Sequence, residues 1–250
     1  MKILRSIVFN LVLFVWGVFV GILTLPVLMM PPETVRKTGA WWSGTVIWLA
    51  KVICGINWEV RGLDNVPKGP VIFASKHQSM WDTLFFPAFF DQPSAIAKAE
   101  LRWLPFYGWV SHRAGAIWVD RKAGGAAIRA MIRGAQRTIG QGRPIFIFPQ
   151  GTRTPPGEKS PYQPGVAALY TSVGIPVVPV ALNSGMFWGR RSFIKQPGTL
   201  IVECLPVIEP GLDRKTFMAM LEERIETASD RLEAEARAEA GAKTGQSSAT

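Results

Sequence analysis

The chain has two histidines, His77 and His112. His77 stands in the block KHQSMWDT, directly after the apolar run VIFAS, and Asp82 follows it by five residues. A neutral imidazole takes up a proton near pH 7, and a neighbouring carboxylate fixes its tautomer and raises its basicity. A spacing of five is off-register for one helical face, which needs three or four. The pair therefore meets only if His77 lies in a turn and Asp82 in the first turn of a helix. The same residues admit a plain structural role. Ser79-x-x-Asp82 has the form of a helix capping box, with Asp82 well placed at the positive end of a helix. On this block alone the two readings are evenly matched. Ser79 is the weaker candidate for a nucleophile, because the chain contains no G-x-S-x-G elbow.

Three further blocks place chemistry at the ends of apolar runs. GAIWVDR, residues 115–121, reads as a strand ending in Asp120 and Arg121. FPQGTR, residues 148–153, runs from a buried strand into a turn that exposes backbone N–H groups and a guanidinium. There Gly151 permits close backbone approach, Thr152 offers a hydroxyl, and Arg153 can grip a phosphate through two parallel hydrogen bonds. Two arginines at the ends of separate strands point to an anion clamp, against the plain alternative of a surface turn with solvated charges. The fourth block, IPVVPVALNSG at 175–185, is an apolar strand whose repeated prolines suit a sheet edge or a bulge.

Taken in order, these blocks read His-x-x-x-x-Asp, G-x-x-[FW]-[IV]-x-R, F-P-x-G-T-R and V-P-V-A-x-N-S-G. With them the chain resembles the glycerolipid acyltransferases, and among these the bacterial lysophosphatidate acyltransferases, over about residues 57–210. The resemblance implies an O-acyltransferase that moves a fatty acyl group from a thioester to the free hydroxyl of lysophosphatidate, giving phosphatidate. It assigns His77 as general base and Asp82 as its orienting partner. Arg121, Gly151, Thr152 and Arg153 fall at positions associated with the acceptor phosphate, and the fourth block at the acyl-donor region. It implies no metal and no tightly bound cofactor, with acyl-CoA or acyl carrier protein as co-substrate and membrane lipid as partner. Glycerol 3-phosphate, another lysophospholipid or a lyso-ornithine lipid remain alternative acceptors within the same chemistry. A non-catalytic lipid-binding protein is the contrasting reading, and the intact His77, Asp82, Arg121 and Arg153 speak against it. One position departs from the family pattern: Gln150 stands where F-P-E-G-T-R has Glu, and an amide neither ionises nor acts as a base. His112 matches no motif position and is assigned a structural role.

The elements that must carry these blocks are α/β. Strand-like runs lie at Trp58–Arg61, Val71–Ser75, Ala95–Lys98, Gly115–Val119, Ile145–Phe148, Ile175–Leu182 and Leu200–Leu205. Several are continuously apolar and end at Gly or Pro, as buried strands do. Helical patterns lie at Asp82–Phe90, Gly125–Ile139, Gly165–Val173 and about Arg214–Glu239. This predicts a mixed central sheet flanked by helices over residues 57–240, with the small, polar tail at 241–250 disordered.

Residues 1–56 are different in kind. From Leu11 to Pro32 there is no charge before a break around PPETVRKTG, and a second apolar stretch follows at Trp41–Ile56. The first run is longer than a signal-peptide core and lacks an A-x-A-like cleavage site. Two membrane-associated helices that enter one leaflet and return are expected, with a two-pass hairpin as the rival. Either arrangement, with Lys2 and Arg5 at the N-terminus, places the remainder on the cytoplasmic side of the inner membrane.

Composition narrows the partners. The 250 residues carry 28 Lys+Arg against 18 Asp+Glu, and residues 57–221 alone hold 19 basic against 10 acidic side chains. Such a field draws anionic ligands. No Lys/Arg run or nucleic-acid motif accompanies it, and the Trp and Phe residues fall in apolar stretches, so nucleic acid is not expected. Cys54 and Cys204 have no Cys or His at metal-ligand spacing and read as buried, reduced thiols.

Overall fold

The computed structural model describes residues 1–247, and among these the apolar runs form one seven-stranded sheet. Its strands are β1 (Ile56–Arg61), β2 (Ile72–Ser75), β3 (Ser94–Lys98), β4 (Ile117–Val119), β5 (Ile145–Ile147), β6 (Val177–Leu182) and β7 (Gly198–Cys204). The spatial order is β1-β7-β6-β2-β5-β3-β4, mixed because β6 and β7 run antiparallel. The parallel pairs β2–β5, β2–β6, β3–β5 and β3–β4 aim the carboxyl ends of five strands at one edge. In open α/β sheets that edge is where ligands bind.

The central strands are apolar on both faces because both are covered. Side chains alternate across a strand, so Phe73 of β2 and Phe146 of β5 join one cluster while Ile72, Ala74, Ile145 and Ile147 join the other. Helix α3 (Trp81–Phe89) lies on the first face with α1 (Lys2–Leu23) and α2 (Pro32–Cys54). The second face is covered by α5 (Gly125–Gly140), α6 (Gly165–Val173) and α7 (Arg214–Ser247). Along α7, Phe217, Leu221, Ile225, Ala228 and Leu232 form the buried stripe that the sequence pattern indicates.

The structure departs from the sequence reading at four points. The break between the first two helices falls at 24–31 rather than at PPETVRKTG, which instead forms the opening turns of α2. Pro32 sits at the first helical position, Glu33 at the positive end, and Lys37 pairs with Glu33 at 2.7 Å, so this polar stretch starts a helix well. Helix α4 (Tyr107–Ala114) has no counterpart in the sequence reading, being short and interrupted in its apolar pattern by Gly108, Ser111 and His112. The strand holding the fourth block is interior, so of the edge or bulge that its prolines suit, the edge is excluded and an irregular ladder accommodates them. Its Pro179 lies where the ladder to β7 is interrupted, between the Val177–Ile208 bridge and the Val180–Cys204 pair, so the missing N–H goes unneeded. Finally, α7 runs past Glu239 through Ser247, because the Ala-rich stretch AEARAEAGA favours continued helix over the expected disorder; residues 248–250 lie outside the described residues.

Helix α1 is the one described helix long and apolar enough to cross a bilayer, with a mean hydropathy of 2.4. It nevertheless docks one face on the domain. Ser6 Oγ accepts from Lys195 N at 2.9 Å, Asn10 Nδ2 donates to Phe193 O at 3.1 Å, and Phe9 meets Trp188 edge-on. Farther along, Gly21 receives the Phe106 ring so closely that an added Cβ would lie 2.9 Å from it. The other face leaves Phe14, Val15, Phe19 and Leu23 exposed. A Gly21→Leu variant should therefore melt at a lower temperature, by the equivalent of about 1–3 kcal/mol of overpacking. A melting temperature equal to that of the parent would show that α1 is not seated against Phe106.

Candidate active site

The turn from β2 into α3 brings His77 and Asp82 together, with His77 Nδ1 2.9 Å from Asp82 Oδ2. The same oxygen accepts from the backbone N–H groups of Gln78, at 2.7 Å, and Ser79, at 2.8 Å. Ser79 Oγ in turn accepts from Trp81 N at 3.1 Å. Asp82 thus closes the turn that leads into α3 and faces the imidazole at once. Its side chain is fully buried and that of His77 is 13% exposed. The imidazole stacks on Phe148 at 3.9 Å between centroids and 16° between planes, which fixes the ring's plane as Asp82 fixes its rotation. With Nδ1 committed to Asp82, Nε2 is the nitrogen left to exchange a proton.

His77 lines a cavity of about 720 Å³ that reaches from the carboxyl edge of the sheet to the N-terminal helices. At the polar end stand Arg121, Gly151, Thr152 and Arg153, so the structure gathers all four with His77, while Asp82 lies behind it. Arg121 Nη2 donates to Gly151 O at 2.9 Å, across the loops that follow β4 and β5. Gly151 has φ +67°, and a Cβ there would collide with the Arg121 guanidinium. Glycine is therefore required twice, for its backbone angle and for the approach of the arginine. Much of the remaining wall is apolar, with Val20, Leu28, Trp42, Leu84, Phe106 and Phe146 drawn from α1, α2, α3, β5 and the connecting segments.

Sequence reasoning missed four cations at the same cavity: Arg36, Lys98, Arg190 and Arg191. Lys98 ends β3, and the strand-end argument that selects Arg121 and Arg153 would have found it. Arg190, which donates to Arg153 O at 3.1 Å, and Arg191 follow the fourth block in an irregular segment with no pattern to read. Gln150 is 2% exposed and does not line the cavity; its Nε2 lies 3.4 Å from Glu226 Oε1 instead. Asn183 of the fourth block is fully buried and stitches β7 to α7, accepting from Ile201 N at 2.8 Å and donating to Leu232 O at 3.1 Å. His112 accepts a hydrogen bond from Trp118 Nε1 at 3.3 Å, away from His77. Both cysteines are free and buried, and burial pushes the Cys204 thiol up to about 12.

Comparison with known proteins places the chain in a family. The acyltransferase family model matches residues 57–183, which contain His77, Asp82, Arg121, Gly151, Thr152 and Arg153. The 1-acyl-sn-glycerol-3-phosphate acyltransferase of Pseudomonas aeruginosa is 34% identical over 231 residues, covering 89% of this chain and 88% of that protein. The human 1-acyl-sn-glycerol-3-phosphate acyltransferase alpha is 32% identical over 196 residues, covering 77% of this chain and 69% of its own. In fold, the chain superposes on the crystal structure of the 1-acyl-sn-glycerophosphate (LPA) acyltransferase PlsC from Thermotoga maritima. The TM-score is 0.76 at 21% identity, over 93% of this chain and 96% of that one. By family model and sequence alike, this chain belongs to the acyltransferase family and is an acyltransferase enzyme.

Proposed function

We propose that the enzyme transfers a fatty acyl group from a thioester donor, acyl-CoA or acyl-acyl carrier protein, to the free hydroxyl of lysophosphatidate, giving phosphatidate. The observation that carries this reading is the His77–Asp82 pair, 2.9 Å apart, in the wall of a cavity that also holds Arg121 and Arg153. The names of the relatives support the choice of acceptor. His77 Nε2 takes the hydroxyl proton as the oxygen attacks the thioester carbon. The tetrahedral oxyanion then collapses, the C–S bond breaks, and the departing thiolate receives the proton from the imidazolium. Asp82 holds the ring in place and stabilises its charge while the proton is there. Arg121 and Arg153 grip the acceptor's phosphate, with Thr152 and the Gly151 backbone completing the cradle.

The enzyme is further proposed to sit in one leaflet with its catalytic domain on the cytoplasmic side of the inner membrane. The turn between α1 and α2 supports this over a two-pass hairpin. Arg113 of α4 donates to Leu28 O at 3.0 Å and to Met30 O at 2.9 Å, and Arg36 donates to Gln92 at 2.6 Å. A turn tied to the catalytic domain cannot lie on the far side of a bilayer from it.

Four measurements test these assignments. Purified enzyme in detergent, offered labelled acyl donor with lysophosphatidate, glycerol 3-phosphate, monoacylglycerol or a lyso-ornithine lipid, should acylate lysophosphatidate preferentially. His77→Ala should lower that turnover by about 10²–10⁴ while leaving the fold intact; turnover near the parent value would remove His77 from the mechanism. Arg153→Ala should raise the acceptor KM roughly 10- to 150-fold, the worth of a hydrogen bond to a charged group, with the donor KM little changed. Equal rises for both substrates would argue against a phosphate grip. Lys37→Cys, beside Arg36 and exposed, should resist a membrane-impermeant thiol reagent applied from the periplasmic side, whereas rapid labelling would favour the two-pass hairpin.

A further inference from the structure

Lys76 precedes His77 in the chain, and its side chain is only 2% exposed. A buried ammonium is tolerated only with a partner. Glu226 of α7 supplies one, lying 2.9 Å from Lys76 Nζ through Oε1 and 2.7 Å through Oε2. Tyr162 OH donates to Glu226 Oε1 at 2.9 Å, and Gln150 Nε2 lies 3.4 Å from that same oxygen. Burial, followed by the charge of Glu226, pushes the Tyr162 phenol upward and keeps it a donor. On the other side of His77, Gln78 Nε2 donates to Glu233 Oε1 at 2.7 Å, and Gln78 Oε1 accepts from Gly185 N at 3.0 Å. Glu226 and Glu233 are seven residues apart, two helical turns, so one face of α7 grips both neighbours of His77 in sequence.

We propose that Glu226 is a positioning residue for the reaction, fixing the His77 turn through Lys76, and that position 150 is Gln because α7 already supplies the one carboxylate this buried cluster holds. The proposal rests on the reading of His77 as the base. The chemistry of position 150 follows from charge count. Lys76 and Glu226 balance, and Gln150 adds a neutral donor toward Glu226 while its Oε1 is buried without a hydrogen-bond partner. A carboxylate at 150 would set a second negative charge against Glu226, whose one cationic partner among the described residues is Lys76, and would have no proton to donate. The departure from F-P-E-G-T-R thus concerns where the cluster's negative charge sits and leaves the acceptor phosphate site unaltered.

The test transposes the charge. Full-length Gln150→Glu, Glu226→Gln and the double variant are purified in detergent, and kcat, both KM values and the melting temperature are measured. Each single variant should lose about tenfold or more in kcat with both KM values little changed, and the double should recover most of that loss. A double variant no better than the worse single would overturn the proposal. So would single variants with parental kcat, or compensation confined to melting temperature, which would make the cluster structural only. If the single variants do not accumulate, Glu226→Asp decides: it keeps the charge one methylene short, and parental kcat in it would also overturn the proposal. His77→Ala, measured alongside, reports on the base assignment. Because the compensation between 150 and 226 is scored with His77 intact, failure of one claim is distinguishable from failure of the other.

Discussion

One oxygen atom, Asp82 Oδ2, accepts from the His77 imidazole and from two consecutive backbone N–H groups. Closing the turn before α3 and orienting the imidazole are therefore a single interaction, although the residue at the cap of α3 is Met80, with no side-chain cap, and not Ser79. A buried carboxylate held by three donors cannot drift, so the position of the ring follows from the shape of residues 76–79. That turn is sewn to the rest of the molecule at each residue but the last. Lys76 N donates to Val180 O at 2.9 Å, His77 O accepts from Thr154 N at 2.8 Å, and Gln78 is held by α7 and by Gly185. The imidazole proposed as the base thus sits on a segment tied down on both sides of it.

The cavity reconciles two demands that oppose each other. A polar, cationic edge needs loops and strand ends, whereas an acyl chain needs continuous apolar wall. The parallel centre of the sheet provides the first by aiming β2, β5, β3 and β4 the same way. The second comes from elements on one face, α1 to α4, whose apolar side chains continue inward from the charged rim. The other face of the sheet carries α7 and with it the carboxylates behind the His77 turn. Substrate contact and support of the turn are thus separated by the thickness of the sheet's edge.

Legibility in the sequence followed the range of the interactions involved. Strands buried on both faces announced themselves as apolar runs, and each of the seven was found within a few residues of its true bounds. His77 with Asp82, and Gly151 with Arg153, were legible because short spacing encodes their geometry. Helix α4 was not, since eight residues with Gly, Ser and His among them carry no period. Nor was the tie between Gln150 and Glu226, 76 residues apart, because nothing local to FPQGTR records what α7 brings to it. Ser6 and Asn10 were invisible for a related reason. In an apolar run they look like interruptions, and only the folded chain shows them bonded to the 192–195 segment.

Those two polar residues change what α1 is. A helix fastened by Ser6 and Asn10 to the segment that presents Arg190 and Arg191, and by Gly21 to Phe106, is built into the catalytic body. Val20 and Gly21 are themselves part of the cavity wall. The N-terminus is consequently not a cassette. Trimming it for solubility would open one side of the binding chamber, and grafting an unrelated anchor in its place would leave the same hole.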